Sequence, residues 1–330
     1  MRRIGLAVVV ALSLVLAPIA GEPQPAGKVW RIGVLAHVPN PPSDAAALQS
    51  LGELGYVEGR NLVLEWRFAE GRDERFADFA AEFVRLKVDL IVTVSNPGAL
   101  AAKKATTTIP IVMVASVSPE RIGLVASLAR PGGNVTGMSL DAGPEIAGKM
   151  LQLLKETVPK ISRVATLAAS PTGVWFDPKS GAPVREIDAA GQGLGLTLIP
   201  LVARGPEDFA GAFAAAAHGR AEALLVDTSS LLFVHRRLIV ESAAKQRLPA
   251  VYPLTQFADD GGLMAYSVEL NDFVRRAATY VDKIFKGAKP ADLPVEQPRK
   301  FELAINLKTA RTLGLTIPPS VLGRADRVIE

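Results

Sequence analysis

Apolar residues fall into short runs separated by longer segments in which they recur every three or four positions. The run VWRIGVLA, Val29 to Ala36, is rich in Val, Ile and Leu and predicts a strand buried on both faces. SDAAALQSLGELG follows, with cap-like Ser43 and Asp44 at its start and Gly55 at its end, and predicts a helix. NLVLEWRFA predicts a second strand and VDLIVTV a third. Between them DERFADFAAEFVRL is an amphipathic helix with Phe76, Phe79, Ala80 and Phe83 on one face. NPGALAAKKAT and IPIVMVA add a further helix and strand. Buried strands alternating with helices predict an α/β chain with a doubly wound parallel sheet.

The second half repeats this order. RVATLAA from Arg163 matches RIGVLA from Arg31, EALLVDTSS matches DLIVTVSNP, and RLPAVYP matches TIPIVMV. The offset is roughly 130–140 residues, too long for a solenoid repeat and suited to two lobes of like topology. Between the halves lies LARPGGNVTGMSL, Leu128 to Leu140, where a helix-like run stops at Pro131-Gly132-Gly133 and a formal glycosylation sequon, Asn134-Val135-Thr136, follows. The glycines lead into a strand, not a helix start, so a phosphate loop is excluded and a connector between lobes is expected.

Ligands of open parallel sheets sit beyond the carboxyl ends of the strands. Asn96-Pro97, Ser118-Pro119 and Ser170-Pro171 each place a capping residue before a proline suited to a first helical turn, and Asp227-Thr228-Ser229-Ser230 ends a fourth strand. Such helix starts hold an anion with free N–H groups, or are simply caps. His37, after the first strand, is a hydrogen-bond donor to a ligand or a solvated loop histidine. Asp227 pairs with a ligand ammonium or caps a helix. Tyr252 and Tyr266 cover an apolar ligand or pack in a core, and Trp175-Phe176 is a lid or an exposed loop pair.

Composition narrows the function classes. At 330 residues, 49% hydrophobic and 21% charged, the chain has the make-up of two globular domains. The formal charge of +4 includes Arg2 and Arg3, and no basic stripe stands out among the interleaved charges, so no nucleic-acid partner is expected. MRRIGLAVVVALSLVLAPIA has the basic start, apolar run and small residues of a secretory leader, ending near Gly21, with an uncleaved anchor as the other reading. There is no cysteine, hence no disulfide and no lipid-modified cysteine.

Enzyme signatures fail. The three histidines, His37, His218 and His235, have no partner at metal-ligand spacing, and neither a Gly-x-Ser-x-Gly elbow nor a Walker loop occurs. No cofactor, metal or catalytic residue is expected.

LGYVEGRNLVLEWRFAEG, GLVASLARPGGNVTGMS, RLPAVYPLTQFADDGGLMAYS and YVDKIFKGAKPADLPVEQPRKFELAINLKTARTLGLTIPPSVLGRAD closely resemble the ABC transporter substrate-binding proteins of the tryptophan/tyrosine-transport type. The resemblance covers nearly the whole mature chain. It implies the type I periplasmic-binding-protein fold, two doubly wound lobes joined by a three-segment hinge, with crossovers near Gly137, Ser267 and Pro298. The implied division is a leader at 1–21, a first lobe of 29–137 plus 268–297, and a second of 138–267 plus 298–330. It implies solute contacts around His37, Ser95, Asn96, Ser116, Val117, Ser118, Ser170, Asp227, Thr228 and Tyr252, to which the strand-end argument adds Tyr266. The expected function is solute capture for an ABC importer by a periplasmic monomer that docks on a membrane permease, with an amino acid or related carboxylate as solute. A sensory protein or a secreted α/β enzyme are the alternatives. Departures from the family pattern, Ser118-Pro119 in place of Asp-Pro and the Trp175-Phe176 loop, fall at the pocket.

Overall fold

The computed structural model describes residues 28–39, 41–140, 143, 145–169 and 184–330. The leader, Ser170 and the Trp175–Phe176 loop lie outside the described residues. Strands β1 (Trp30–Ala36), β2 (Leu62–Phe68), β3 (Leu90–Thr93), β4 (Ile111–Ser116) and β5 (Val135–Ser139) form one sheet in the order β2-β1-β3-β4-β5, all parallel. Strands β6 (Arg163–Ala169), β7 (Thr197–Ala203), β8 (Ala223–Val226), β9 (Ala250–Tyr252), β10 (Met264–Val268), β11 (Phe301–Asn306) and β12 (Arg327–Ile329) form a second, in the order β12-β11-β10-β9-β8-β6-β7.

The continuous apolar runs arise because both faces of each sheet are covered. In β1, Ile32 and Val34 pack into one helix layer while Leu35 packs into the other, all nearly inaccessible. Full burial of each such side chain contributes about 1.5–3 kcal/mol. Phe76, Ala80 and Phe83 of the helix Arg75–Arg85 face the first sheet as their spacing predicts, while Phe79 is only partly buried.

The chain passes between the sheets three times. After β5 it enters the helix Glu145–Thr157, whose Met150, Leu151 and Leu154 cover the second sheet. After β10 it returns as the helix Leu270–Phe285, whose Phe273, Tyr280 and Val281 cover the first. It then re-enters the second sheet as β11, antiparallel to β10. A chain that leaves a sheet and comes back from the same end must run the opposite way, so the otherwise parallel second sheet has one antiparallel pairing, β10 with β11.

Crossovers were expected near Gly137, Ser267 and Pro298, and the first two of these residues still lie within strands, shortly before the chain leaves its sheet. Gly137 lies within β5, opposite Met113 of β4, and the chain leaves the sheet only beyond Leu140. Ser267 lies within β10, opposite Glu302, ahead of the passage at Glu269. Pro298 stands in the third passage, between Glu296 and β11. The sequence after Ser118 also departs from expectation: Ser118 adopts φ 48, unsuited to a helix cap, and the segment to Gly133 is a series of turns. Asn134 of the sequon donates its amide to the carbonyls of Thr106 and Ile109, at 3.0 and 2.9 Å.

Around Glu296 all three passages are tied together. Its backbone N–H donates to Gly137 and its carbonyl accepts from Ser139, both at the end of β5. Its carboxylate takes Arg276 and the Tyr280 hydroxyl from the returning helix. Burial works against ionisation of Glu296, yet Arg276 outweighs it and holds the carboxyl below the usual range.

Gly137 has φ 125, and a Cβ there would sit 2.2 Å from the Met113 carbonyl oxygen and 2.8 Å from its nitrogen. Backbone cannot yield as a side chain does, so Gly137→Ala is expected to cost more than about 2 kcal/mol of unfolding free energy. A urea midpoint equal to that of the parent protein would show that the strand accommodates the methyl group.

Candidate functional site

The carboxyl ends of the two sheets face each other across a cavity of about 380 Å³. Nearly every lining residue lies one to a few positions beyond a strand. His37 and Val38 follow β1, Asp73 and Glu74 follow β2, Asn96 and Pro97 follow β3, and Val117 follows β4. The second lobe contributes Arg204 after β7, Thr228 to Leu231 after β8, and Leu254 with Gln256 after β9. The wall is largely apolar, with Val94, Leu140, Leu231, Phe233 and Val234 prominent. The lobes approach closely at one rim, where a Cβ on Gly71 would be 3.4 Å from Val234 Cγ1.

The first-lobe polar residues expected to meet solute are mostly engaged with one another. Ser95 is the cap of the helix Asn96–Ala105 and accepts the Gly98 N–H at 3.3 Å. Asn96 donates to the Val117 carbonyl at 2.9 Å and accepts from the Ser116 hydroxyl at 2.7 Å and the Val117 N–H at 2.9 Å. This cluster pins the end of β4 to the helix start, so Asn96 and Val117 reach the cavity while Ser95 and Ser116 stand behind it. Ser118 is half-buried beside them and does not line the cavity.

In the second lobe, Thr228 lines the cavity and Asp227 does not. Asp227 is fully buried behind it, and its carboxylate accepts the Thr228 N–H at 2.6 Å. The capping position belongs to Ser229, which accepts from Leu232 N–H at 3.2 Å. Tyr252 is a correction. It is 1% exposed, stacks on Phe257 at 4.9 Å and belongs to the second-lobe core, because the end of β9 turns its ring beneath the sheet. Burial pushes its phenol pKa well up. Tyr266 stacks on Phe301 at 5.6 Å and lines a separate recess of about 20 Å³ that shares Leu140, Thr228 and Leu254 with the large cavity.

His37 is 8% exposed and meets Phe76 edge-on at 4.9 Å. Its Nε2 is 3.3 Å from Asp73 Oδ1, but among the described residues neither ring nitrogen has a hydrogen-bond partner. Burial lowers the imidazole to about 4; burial, then Glu74, raises the Asp73 carboxyl. Both shifts carry the sign of lost water and oppose an ion pair, so at neutral pH His37 is uncharged beside an ionised Asp73. Burial also lowers His235, against the opposing charge of Glu207.

Sequence reasoning missed Asp73, Glu74, Arg204 and Gln256. The signal was present, since all four follow a strand. Attention to a capping residue set directly before a proline passed over these loops, where Pro206 and Pro253 stand without one. Among the described residues no group of His, Cys, Asp and Glu could hold a metal, and no helix is long and apolar enough to cross a membrane.

The folded state binds fewer protons at His37 than the unfolded chain between pH 6.5 and about 4. Stability from this residue is therefore complete above pH 6.5 and falls by on the order of 3 kcal/mol as the pH drops to 4, a loss partly offset by the raised Asp73. His37→Gln should flatten that fall in urea denaturation at pH 7 and 4.5; an equal fall in both proteins would assign it elsewhere.

The model of the family "ABC transporter substrate binding protein" matches residues 31–329. A curated tyrosine-binding protein of Clostridioides difficile (strain R20291) is 26% identical over 297 residues, covering 87% of this chain and 82% of its own. Among solved structures, an ABC domain in complex with L-Trp from Streptococcus pneumonia is 29% identical with a TM-score of 0.79, over 90% of this chain and 100% of that one. A conserved domain protein of Vibrio cholerae is 26% identical with a TM-score of 0.80, over 91% and 100%. A leucine-binding protein of Thermotoga maritima, at 16% identity and a TM-score of 0.52 over 81% and 79%, shares the fold. Two doubly wound lobes, a three-passage connection and a cavity walled by both agree with that match: the chain belongs to the ABC transporter substrate-binding proteins, with the type I periplasmic-binding-protein fold.

Proposed function

We propose that this protein is the periplasmic receptor of an ABC importer and captures a single amino acid, of aromatic type, between its lobes. The observation that carries this reading is the cavity of about 380 Å³ walled by both lobes. It lies at the small end of the range for ligand sites, roughly 300–1,000 Å³, and suits one small solute better than a peptide. Its apolar wall, with Phe233 and several aliphatic side chains, suits an aryl group. The named ligands of two relatives, tyrosine and L-Trp, support the same class.

Solute that touches both walls favours the closed arrangement of the lobes, because only that arrangement offers contacts from both sides. The closed form is what a membrane permease would recognise. Bending would take place in the three passages, with Pro298 in one of them.

A thermal-shift panel of L-tyrosine, L-tryptophan, L-leucine and their counterparts lacking the amino group, together with putrescine and butane-1,4-diol, in which hydroxyls replace both of its amino groups, tests the reading. A true solute at a hundred times its dissociation constant adds about 2.7 kcal/mol of stability and raises the melting temperature accordingly. If both aromatic amino acids leave the curve unmoved while another member shifts it, the aromatic assignment falls.

A further inference from the structure

The expected ammonium partner, Asp227, is sealed behind Thr228, yet the opposite wall of the cavity carries two carboxylates that no lysine or arginine contacts among the described residues. Asp73 and Glu74 both line it from the turn after β2. The arginines beside them are engaged elsewhere: Arg75 and Arg72 pair with Glu70 at 2.6 and 3.6 Å. Acids at the start of the helix Arg75–Arg85 suit its dipole, but Glu74 makes no side-chain capping bond. Among the described residues the Asp73 carboxylate accepts no hydrogen bond, and the one titratable side chain within 4 Å of it is the neutral His37, at 3.3 Å.

His37 is the independent observation. More than nine-tenths buried, it lines the same cavity, points Nε2 at Asp73 and, among the described residues, leaves both ring nitrogens without a hydrogen bond. A buried polar atom without a partner is costly, so an added group that satisfies it gains binding energy. An imidazole that remains neutral offers one lone pair, and a carboxylate offers several. An ammonium donates three N–H bonds and satisfies both kinds of acceptor at once. A carboxylate placed there would meet two acids.

The geometry points to a cation subsite on the first lobe, formed by His37, Asp73 and Glu74, that takes the ammonium of an amine-bearing solute. The solute's acidic end then faces the second lobe, where Arg204 is the one lysine or arginine lining the cavity among the described residues. This orientation rests on the interlobe cavity being the solute site, and it reverses the polarity that the sequence implies, with the cation held by the first lobe instead of the second. It does not depend on the solute being aromatic.

Titration calorimetry tests it with the tightest-binding amine of the panel above and its counterpart without the amino group, on the parent protein, Asp73→Asn and Glu74→Gln. Asp73→Asn is expected to weaken the amine about tenfold and leave the des-amino compound within twofold, with a smaller selective loss for Glu74→Gln. Equal losses for both compounds would mark Asp73 as a contact between lobes, for example with Arg204, and would overturn the inference, as would no loss for either. If only compounds without an amino group bind the parent protein, the inference falls. If leucine or putrescine binds and the aromatic amino acids do not, the aromatic reading falls while selective loss in Asp73→Asn still upholds the cation subsite.

Discussion

On the first-lobe side, the elements that flank all three passages between the lobes meet at one residue, Glu296. Glu296 pairs its backbone with the end of β5 and gives its carboxylate to Arg276 and Tyr280 of the returning helix, immediately before the chain enters its own passage. Three passages that would otherwise move independently leave the first lobe from one braced point. The cavity's shape in any arrangement is set by rigid strand ends, since each lining loop is anchored to a strand buried on both faces.

Polar groups in and behind the cavity wall divide into those already satisfied and those still wanting partners among the described residues. Ser95, Asn96, Ser116 and Asp227 belong to the first kind, and their bonds fix the backbone next to the cavity. His37 and the Oε1 of Gln256 belong to the second. Groups of the first kind make a site rigid, and groups of the second determine what it holds. A list of polar residues near strand ends mixes the two.

That distinction explains what could be read from the chain. Fold class and the repeat were legible because burial on both faces writes itself as apolar runs, so β6 coincides with RVATLAA from Arg163 to Ala169. Strand ends were legible too, and Asn96, Val117 and Thr228 do reach the cavity. Illegible were the facts set by three-dimensional aim. Nothing in LPAVYP tells whether the Tyr252 ring turns toward the cavity or under the sheet, and nothing in SNP shows that Asn96 is bonded to a strand twenty residues away. The antiparallel β11 was hidden for a similar reason, since its direction follows from where the chain re-enters and not from its own residues.

Asn134 gives a last consequence. Both hydrogens of its side-chain amide are committed to the carbonyls of Thr106 and Ile109, which fasten the start of β5 to the loop before β4. That same nitrogen is the atom to which an N-linked sugar would be attached. In a eukaryotic secretory host, sugar transfer and native packing would compete for one atom, and a chain glycosylated before folding would keep a single amide hydrogen, enough for only one of these two bonds. Production in a host that lacks the transfer machinery avoids the competition.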